Sequence, residues 1–168
     1  LTRIMNIFEL AKSHFINGCT FLESGDFVRA EYEFIKSLEL LPDRPSTLTN
    51  LSVVQLKQKK YIEAGLSAQK AITLEGNNSA AYLNLGILEQ KLEKPESAIK
   101  YFDKAIHIQP AFAEAWLNKG NVLDELKRYE DALFCYDKAL SLKVDYAEAY
   151  SNKGNTLSEL KRYEDALL

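Results

Sequence analysis

The sequence predicts an all-α solenoid of antiparallel helix pairs, and three observations lead to this fold class. A period of 34 residues runs without a gap from residue 11 onward. Small side chains recur at fixed registers of that period, and the apolar residues between them have helical spacing. A fixed period of this length is typical of an array in which each unit buries its apolar face only against its neighbours. The best-aligned registers hold Ala30, Ala64, Ala98, Ala132 and Ala166, and Gly18, Ser52, Gly86, Gly120 and Gly154.

We predict one continuous solenoid over residues 1–168, with four full repeats and a truncated fifth. No Ser- or Gly-rich linker interrupts the period. Residues 1–10 form an N-terminal extension with Ile4, Ile7 and Phe8 on one side, which we expect to extend or cap the first helix. The repeats cover residues 11–44, 45–78, 79–112, 113–146 and 147–168.

Each unit is predicted to fold as helix, tight turn, helix, and the fourth unit shows this most clearly. Residues 113–126 are rich in helix-forming residues, Lys127 and Arg128 form the turn, and residues 129–142 supply the second helix. Gly120 and Ala132 are expected where the two helices cross, because a larger side chain would push the helix axes apart.

Glycine and proline mark the ends of the predicted helices. Gly25 and Asp26 lie at the turn inside the first unit. Pro45 opens the next helix, at a position where a missing N–H does little harm. The register that closes each second helix holds Pro42, Gly76 and Pro110.

The fifth unit repeats the Lys-Arg-Tyr-Glu-Asp string of residues 127–131 at residues 161–165, so we predict the same turn and helix start there. The sequence then stops partway through the second helix. Ala166, Leu167 and Leu168 are left without a polar capping helix. We therefore expect the chain to be a fragment of a longer array, and expect this end to pair with another copy or to fray.

Composition argues against several classes of function. A net charge of −3 and a pI near 5.5 give no general attraction to nucleic acid, and no stretch has the ~18 apolar residues of a membrane span. Cys19 and Cys135 have no metal-ligand spacing, so we expect buried, reduced cysteines in a cytoplasmic protein. His14 and His107 belong to no catalytic or metal motif. We predict no enzymatic activity and no cofactor.

The pattern of the fourth unit resembles the tetratricopeptide repeat family, and the resemblance extends over residues 11–168. That family places a large residue, a small residue four positions later, and alanines in the second helix. The resemblance implies a right-handed superhelix whose first helices line a concave groove for a protein or peptide partner. The departures are modest, with Pro95, Gln55 and Glu89 replacing residues usual for the family. The matching residues are Trp116, Gly120, Leu123, Tyr129, Ala132, Tyr136 and Ala139.

One asparagine per unit recurs at a register that the resemblance places in the groove: Asn50, Asn84, Asn118 and Asn152. An amide both donates and accepts, so this ladder predicts a grip on the backbone of an extended peptide. It is similar to the ladder in the repeat domain of O-linked N-acetylglucosamine transferases. This similarity implies an alternative function, the substrate-recognition arm of a larger enzyme. The structural alternative is that each amide only serves contacts between neighbouring turns.

The other groove candidates change in charge along the chain. Lys12, Lys57 and Lys91 precede an acidic group formed by Glu114, Asp124, Glu125, Glu148 and Glu159. This gradient predicts a partner with one basic segment, and a merely solvated surface is the alternative. A clamp for a C-terminal carboxylate is disfavoured, because Leu117 and Ser151 stand where such co-chaperones have lysine. The peptide-binding candidates are Asn50, Asn84, Asn118, Asn152, Asn121, Asn155, Lys57, Lys91, Glu114 and Glu125.

Overall fold

The computed structural model describes the backbone of residues 2–166 and the side chains of residues 6–162. Over this range the chain forms only α-helices joined by short turns, so the predicted all-α class is confirmed. Helices pair as predicted where α1 packs on α2, α3 on α4 and α7 on α8. The helices are α1 (Thr2–Glu23), α2 (Phe27–Leu40), α3 (Pro45–Lys57), α4 (Tyr61–Leu74), α5 (Ser79–Lys91), α6 (Pro95–Ile108), α7 (Ala113–Glu125), α8 (Tyr129–Leu142) and α9 (Ala147–Ala166).

The chain divides into two compact units, residues 1–88 (unit 1) and residues 89–168 (unit 2). In unit 1, α2 also packs on α3, which joins the first hairpin to the second. In unit 2, α6 packs on α7 and α8 packs on α9. The single solenoid over the whole chain stays a prediction.

The core of unit 1 is built from small and aromatic residues that alternate between facing helices. Phe34 of α2 is fully buried and lies against Gly18 of α1, where an added Cβ would approach the ring to 2.6 Å. Leu51 and Val54 of α3 complete this cluster. A second cluster joins α3, α4 and α5 through Leu48, Ala71 and Ala81.

Unit 2 repeats the same arrangement at the same registers. Tyr136 of α8 is buried against Gly120 of α7, and an added Cβ on Gly120 would approach the ring to 2.6 Å. The predicted close crossing at Gly120 is therefore present, and Ala132 is fully buried in the same cluster. The remaining buried members are Leu117, Leu123, Cys135, Ala139, Leu140 and Ala149.

The turn inside each of the first four repeats holds one residue in the left-handed conformation, at a single register of the period. These residues are Gly25, Lys59, Glu93 and Lys127, with φ of 78°, 61°, 57° and 58°. Two backbone hydrogen bonds close each turn. In the fourth repeat they run from Lys127 N to Asp124 O at 2.8 Å and from Arg128 N to Leu123 O at 2.9 Å. This is the Schellman arrangement, which ends the first helix and turns the chain back.

A polar pair in unit 1 explains one departure from the family pattern. Gln55 occupies an apolar register and is buried, and its Oε1 accepts a hydrogen bond from Ser67 Oγ at 2.8 Å. Ser67 lies on α4, so the pair joins the two helices of the second repeat. The amide oxygen and the hydroxyl thus satisfy each other, which removes most of the cost of burying them.

Glu31 links the first two repeats through its carboxylate. Its Oε2 accepts hydrogen bonds from Lys60 Nζ at 2.5 Å and from Gln58 Nε2 at 2.9 Å. Gln58 Nε2 also donates to the carbonyl of Phe27 at 3.1 Å. Burial opposes ionisation of Glu31, but the hydrogen bonds from Lys60 and Gln58 outweigh it and lower the pKa of the carboxyl.

The structure corrects one predicted turn and confirms another expectation. Residues 161–165 continue α9, so the predicted second turn of the fifth unit is absent. A continued helix keeps the backbone hydrogen bonds that a turn at residue 161 would interrupt. At the other end, α1 begins at Thr2, so residues 2–10 extend the first helix as expected. The prediction that Leu167 and Leu168 self-associate or fray lies outside the described residues.

We expect Gly120→Ala to destabilise the protein by about 1–3 kcal/mol, because the new methyl group overlaps the ring of Tyr136. The measurement is urea denaturation followed by circular dichroism. Gly154→Ala is the matched control at the same register, since no atom lies within 4 Å of its added Cβ. Equal loss of stability in both variants would contradict the packing role of Gly120.

Gly25→Ala is expected to cost about 1 kcal/mol, because alanine is strained at positive φ. Gly76→Ala is the control, since Gly76 has open space around it and no positive φ. Thermal denaturation of both variants checks this. A Gly25→Ala protein as stable as the control shows that the turn does not need glycine here.

Glu31→Gln is expected to lower stability at pH 7 by about 1 kcal/mol, since it removes a charge-assisted pair in which the carboxylate is mostly buried. The folded-state pKa of Glu31 is lowered, so its contribution is present above the unfolded value of about 4.3 and is lost as pH falls through the folded value. The difference between the parent and the variant should therefore shrink below about pH 4 in urea titrations. Glu39→Gln, which breaks only the exposed pair with Lys36, should leave stability unchanged across that range.

Candidate functional site

The first helices of unit 2 border a polar cleft of about 240 Å³. Its floor includes Tyr136, whose ring packs on Gly120 as described above. The side chains around it come from the end of α5, from the last two turns of α7 and from α9. Seven residues line this space, which we call the polar cleft: Gln90, Asn121, Asp124, Glu125, Tyr136, Asn152 and Asn155.

Hydrogen bonds within the fourth repeat and between the fourth and fifth repeats hold the walls of the polar cleft. Asn152 Nδ2 donates to Asn121 Oδ1 at 2.8 Å, and the Tyr136 hydroxyl donates to the same oxygen at 3.1 Å. One helical turn further along α9, the hydroxyl of Thr156 donates to Asp124 Oδ1 at 2.6 Å. These bonds fix α9 against α7 and orient the amides and carboxylates around the opening.

The polar cleft is electronegative. Asp124 and Glu125 supply two carboxylates, and Gln90 Nε2 donates to Glu125 Oε1 at 2.8 Å. Burial raises the pKa of Tyr136, and the charge of Asp124 raises it further. Tyr136 is therefore a neutral hydrogen-bond donor at neutral pH, and the net charge of the polar cleft comes from the two carboxylates.

Unit 1 has a second polar recess of about 350 Å³ beside the start of α5. Asn78 organises it, because its Oδ1 caps α5 by accepting from Ala81 N at 2.9 Å while its Nδ2 donates to Thr49 Oγ1 at 3.1 Å. The recess offers hydroxyl and amide groups with one carboxylate. Its lining residues are Ser46, Thr49, Asn50, Glu75, Asn77, Asn78, Ser79 and Ala80.

The structure shows what each amide of the predicted asparagine ladder contacts. Asn50 Nδ2 lies 3.5 Å from Cys19 Sγ, and Asn84 Nδ2 donates to the carbonyl of Thr49 at 3.1 Å. Asn118 Nδ2 donates to the carbonyl of Glu114, one turn earlier in α7. Asn84 is only 4% exposed, whereas the other three are partly exposed. Each amide therefore makes a contact within the chain, and its use for a peptide stays a prediction.

The other candidates separate into two groups. Asn121, Asn155 and Glu125 line the polar cleft together with Asn152. Lys57 and Lys91 lie exposed in the last turns of α3 and α5, and Glu114 lies exposed in the first turn of α7. None of these three lines either recess.

Reasoning from the sequence misses the contribution of Tyr136 and Thr156 to this face. The repeat pattern places Tyr136 in the core alone, although its hydroxyl reaches Asn121. Thr156 stands outside the predicted candidates, yet it is almost fully buried and bonded to Asp124. Helical register is the signal that finds Thr156, because it lies four residues after Asn152 and therefore on the same helix face.

His14 and Cys135 contribute to helix packing in the described part of the chain, whereas His107 is exposed. His14 Nδ1 lies 2.7 Å from Glu33 Oε2, which joins α1 to α2. Cys135 is buried as expected, and burial raises its pKa to about 11. Cys19 is only partly buried. Among the described residues no three His, Cys, Asp or Glu side chains form a group that would hold a metal ion.

None of the described helices has the length and apolar character needed to cross a bilayer. The predicted cytoplasmic location is a separate matter and stays a prediction.

Packed antiparallel helix pairs with a 34-residue period define the chain as a helical-repeat protein. Residues 79–112 and 113–146 match the family model described as tetratricopeptide repeat, which confirms the family resemblance. The chain therefore contains tetratricopeptide repeats, a fold used as a scaffold for protein–protein interaction.

The chain is also similar to solved structures of the same fold. TTC0263, a thermophilic TPR protein of Thermus thermophilus, is 21% identical with a TM-score of 0.81, covering 94% of this chain and 86% of that one. PilF of Pseudomonas aeruginosa is 20% identical with a TM-score of 0.82, covering 94% and 72%. YrrB is 23% identical with a TM-score of 0.64, covering 92% and 79%. Likeness at these identities establishes the fold.

No curated protein matches the sequence. The similarity to the repeat domain of O-linked N-acetylglucosamine transferases stays a prediction.

Proposed function

We propose that this chain binds an extended protein segment along its first helices, and that the polar cleft of unit 2 receives a basic side chain of that segment. The observation that carries the proposal is the lining of the polar cleft, where Asp124 and Glu125 stand among three asparagine amides. Among solved structures of the same fold, YrrB is described as having an unusual peptide-binding site, which supports a peptide as the type of ligand.

The polar cleft suits a cation because acceptors outnumber donors. An ionised carboxylate offers about four lone-pair sites, and among the described contacts Asp124 and Glu125 each accept one side-chain hydrogen bond. A lysine ammonium brings three donors and an arginine guanidinium brings five. Either group would complete the hydrogen bonding of the carboxylates while partly neutralising their charge.

The free energies involved require a bound peptide to contact several repeats. A hydrogen bond to a charged group contributes about 1.5–3 kcal/mol and a neutral one about 0.5–1.5 kcal/mol, whereas association costs about 4–15 kcal/mol. One occupied cleft therefore gives weak binding. The amides of Asn152 and Asn155, which line the same cleft in the fifth repeat, supply further contacts to a peptide backbone in this proposal. The alternative role as the recognition arm of a glycosyltransferase uses the same faces and stays a prediction.

The test begins with an array of random 12-residue peptides probed with the purified chain. We expect enrichment of Lys or Arg at one position of the bound sequences. Fluorescence anisotropy then compares a binding peptide with its Lys→Gln or Arg→Gln counterpart. An array without basic enrichment, or counterparts that bind equally well, would overturn the role of the polar cleft.

Glu125→Gln is expected to weaken the basic peptide about three- to tenfold, because it removes one charge but keeps an acceptor for Gln90. The neutral counterpart peptide should bind both proteins equally. Glu130→Gln is the matched control, since Glu130 is exposed in the first turn of the second helix α8 and does not line the polar cleft. A similar loss in both variants would point to general electrostatics and not to this cleft.

A further inference from the structure

The second helices of unit 1 carry large apolar side chains on their outer faces. Val28 on α2 is 71% exposed, and Ile62 and Leu66 on α4 are 79% and 68% exposed. Tyr32 and Ile35 continue the row on α2 at helical spacing. We call these five residues the apolar stripe. It is separate from the peptide-binding faces, which lie on the first helices.

The repeat fold does not require apolar residues at these registers. The later repeats have the same helices at the same registers, yet their side chains there are mostly charged. The equivalents of Val28, Tyr32 and Ile35 are Glu96, Lys100 and Asp103 in the third repeat and Glu130, Phe134 and Asp137 in the fourth. The apolar stripe is thus a property of unit 1 and not a consequence of folding.

Contacts already described bring the two rows of the apolar stripe together. Glu31 lies between Val28 and Tyr32 on α2, and its carboxylate binds Lys60 at the start of α4. Gln58 bonds to the carbonyl of Phe27, directly before Val28. The start of α4 is therefore held near the first half of α2, which places the two rows on neighbouring second helices of unit 1.

The size of the apolar stripe matches half of a dimer interface. From their exposed fractions, the five side chains present about 500 Å² of apolar surface, near the upper end for a patch on a monomer. A standard interface buries about 800 Å² per partner, and in homodimers about 65% of it is apolar. Two copies of the apolar stripe would therefore supply the apolar area that a stable dimer needs.

We propose that a second copy of this chain covers the apolar stripe in a two-fold symmetric dimer. Residues 34 apart occupy equivalent positions on α2 and α4. A two-fold axis parallel to these helices places α2 of one copy against α4 of the other, with equivalent positions opposite each other. Val28 then faces Ile62, and Tyr32 faces Leu66. Each apolar row of one copy is thus covered by the other row of the second copy, and the same contact is made twice per dimer.

Sedimentation velocity of the purified chain over a range of concentrations tests the dimer. We expect a reversible monomer–dimer equilibrium that the double variant Ile62→Glu, Leu66→Glu weakens at least tenfold. Phe134→Glu is the matched control, since Phe134 has the register of Leu66, lies in unit 2 and is exposed; it should leave the equilibrium unchanged. Circular dichroism confirms that each variant is folded. A chain that is monomeric at every concentration, or a dimer unaffected by the double variant, overturns the proposal.

A substitution on the other row tests the two-fold arrangement itself. Val28→Glu lies on α2 and, in this arrangement, faces Ile62 of the second copy, so it should weaken the dimer as strongly as Ile62→Glu. A Val28→Glu protein that dimerises like the parent would rule out this pairing. These measurements do not involve the polar cleft, so their outcome is independent of peptide binding.

Discussion

Two of the described hairpins, α1–α2 and α7–α8, depend on a close contact between an aromatic ring of the second helix and a glycine of the first. Phe34 against Gly18 and Tyr136 against Gly120 are the same contact in two repeats. Without a side chain on the glycine, the helix axes approach closely enough for the ring to fill the space between them. The distance between the helices then determines where the remaining residues of both helices point.

The turns bring the two helices of each hairpin together and so act with this contact. A left-handed residue at one register reverses the chain in each of the first four repeats, and glycine takes that position only in the first. The strain at Lys59, Glu93 and Lys127, about 1–2 kcal/mol for each L-residue, is offset by the packing of the hairpin that the turn closes. In residues 161–165, α9 continues and no residue has the left-handed conformation.

The proposed binding surfaces lie on positions that this contact leaves free. First-helix residues outside the core meet first-helix residues of the neighbouring repeat, which produces the bonds from Asn152 to Asn121 and from Asn84 to Thr49. Second-helix residues on the outer face meet solvent, so the exposed apolar residues there contribute little to folding the monomer. The polar cleft is lined mainly from first helices of unit 2, whereas the apolar stripe lies on second helices of unit 1.

The sequence by itself determined the fold class, the period, the helix bounds of the fourth repeat and the close crossing at Gly120, because each depends on a local pattern repeated at a fixed interval. Only the tertiary structure decided which polar groups were already engaged. Asn84 and Asn152 have the same register, yet one is buried against a backbone carbonyl and the other lines an open cleft. The difference arises from the groups that the preceding repeat presents, the backbone carbonyl of Thr49 in one case and the side chain of Asn121 in the other. These partners lie more than 30 residues away in the chain.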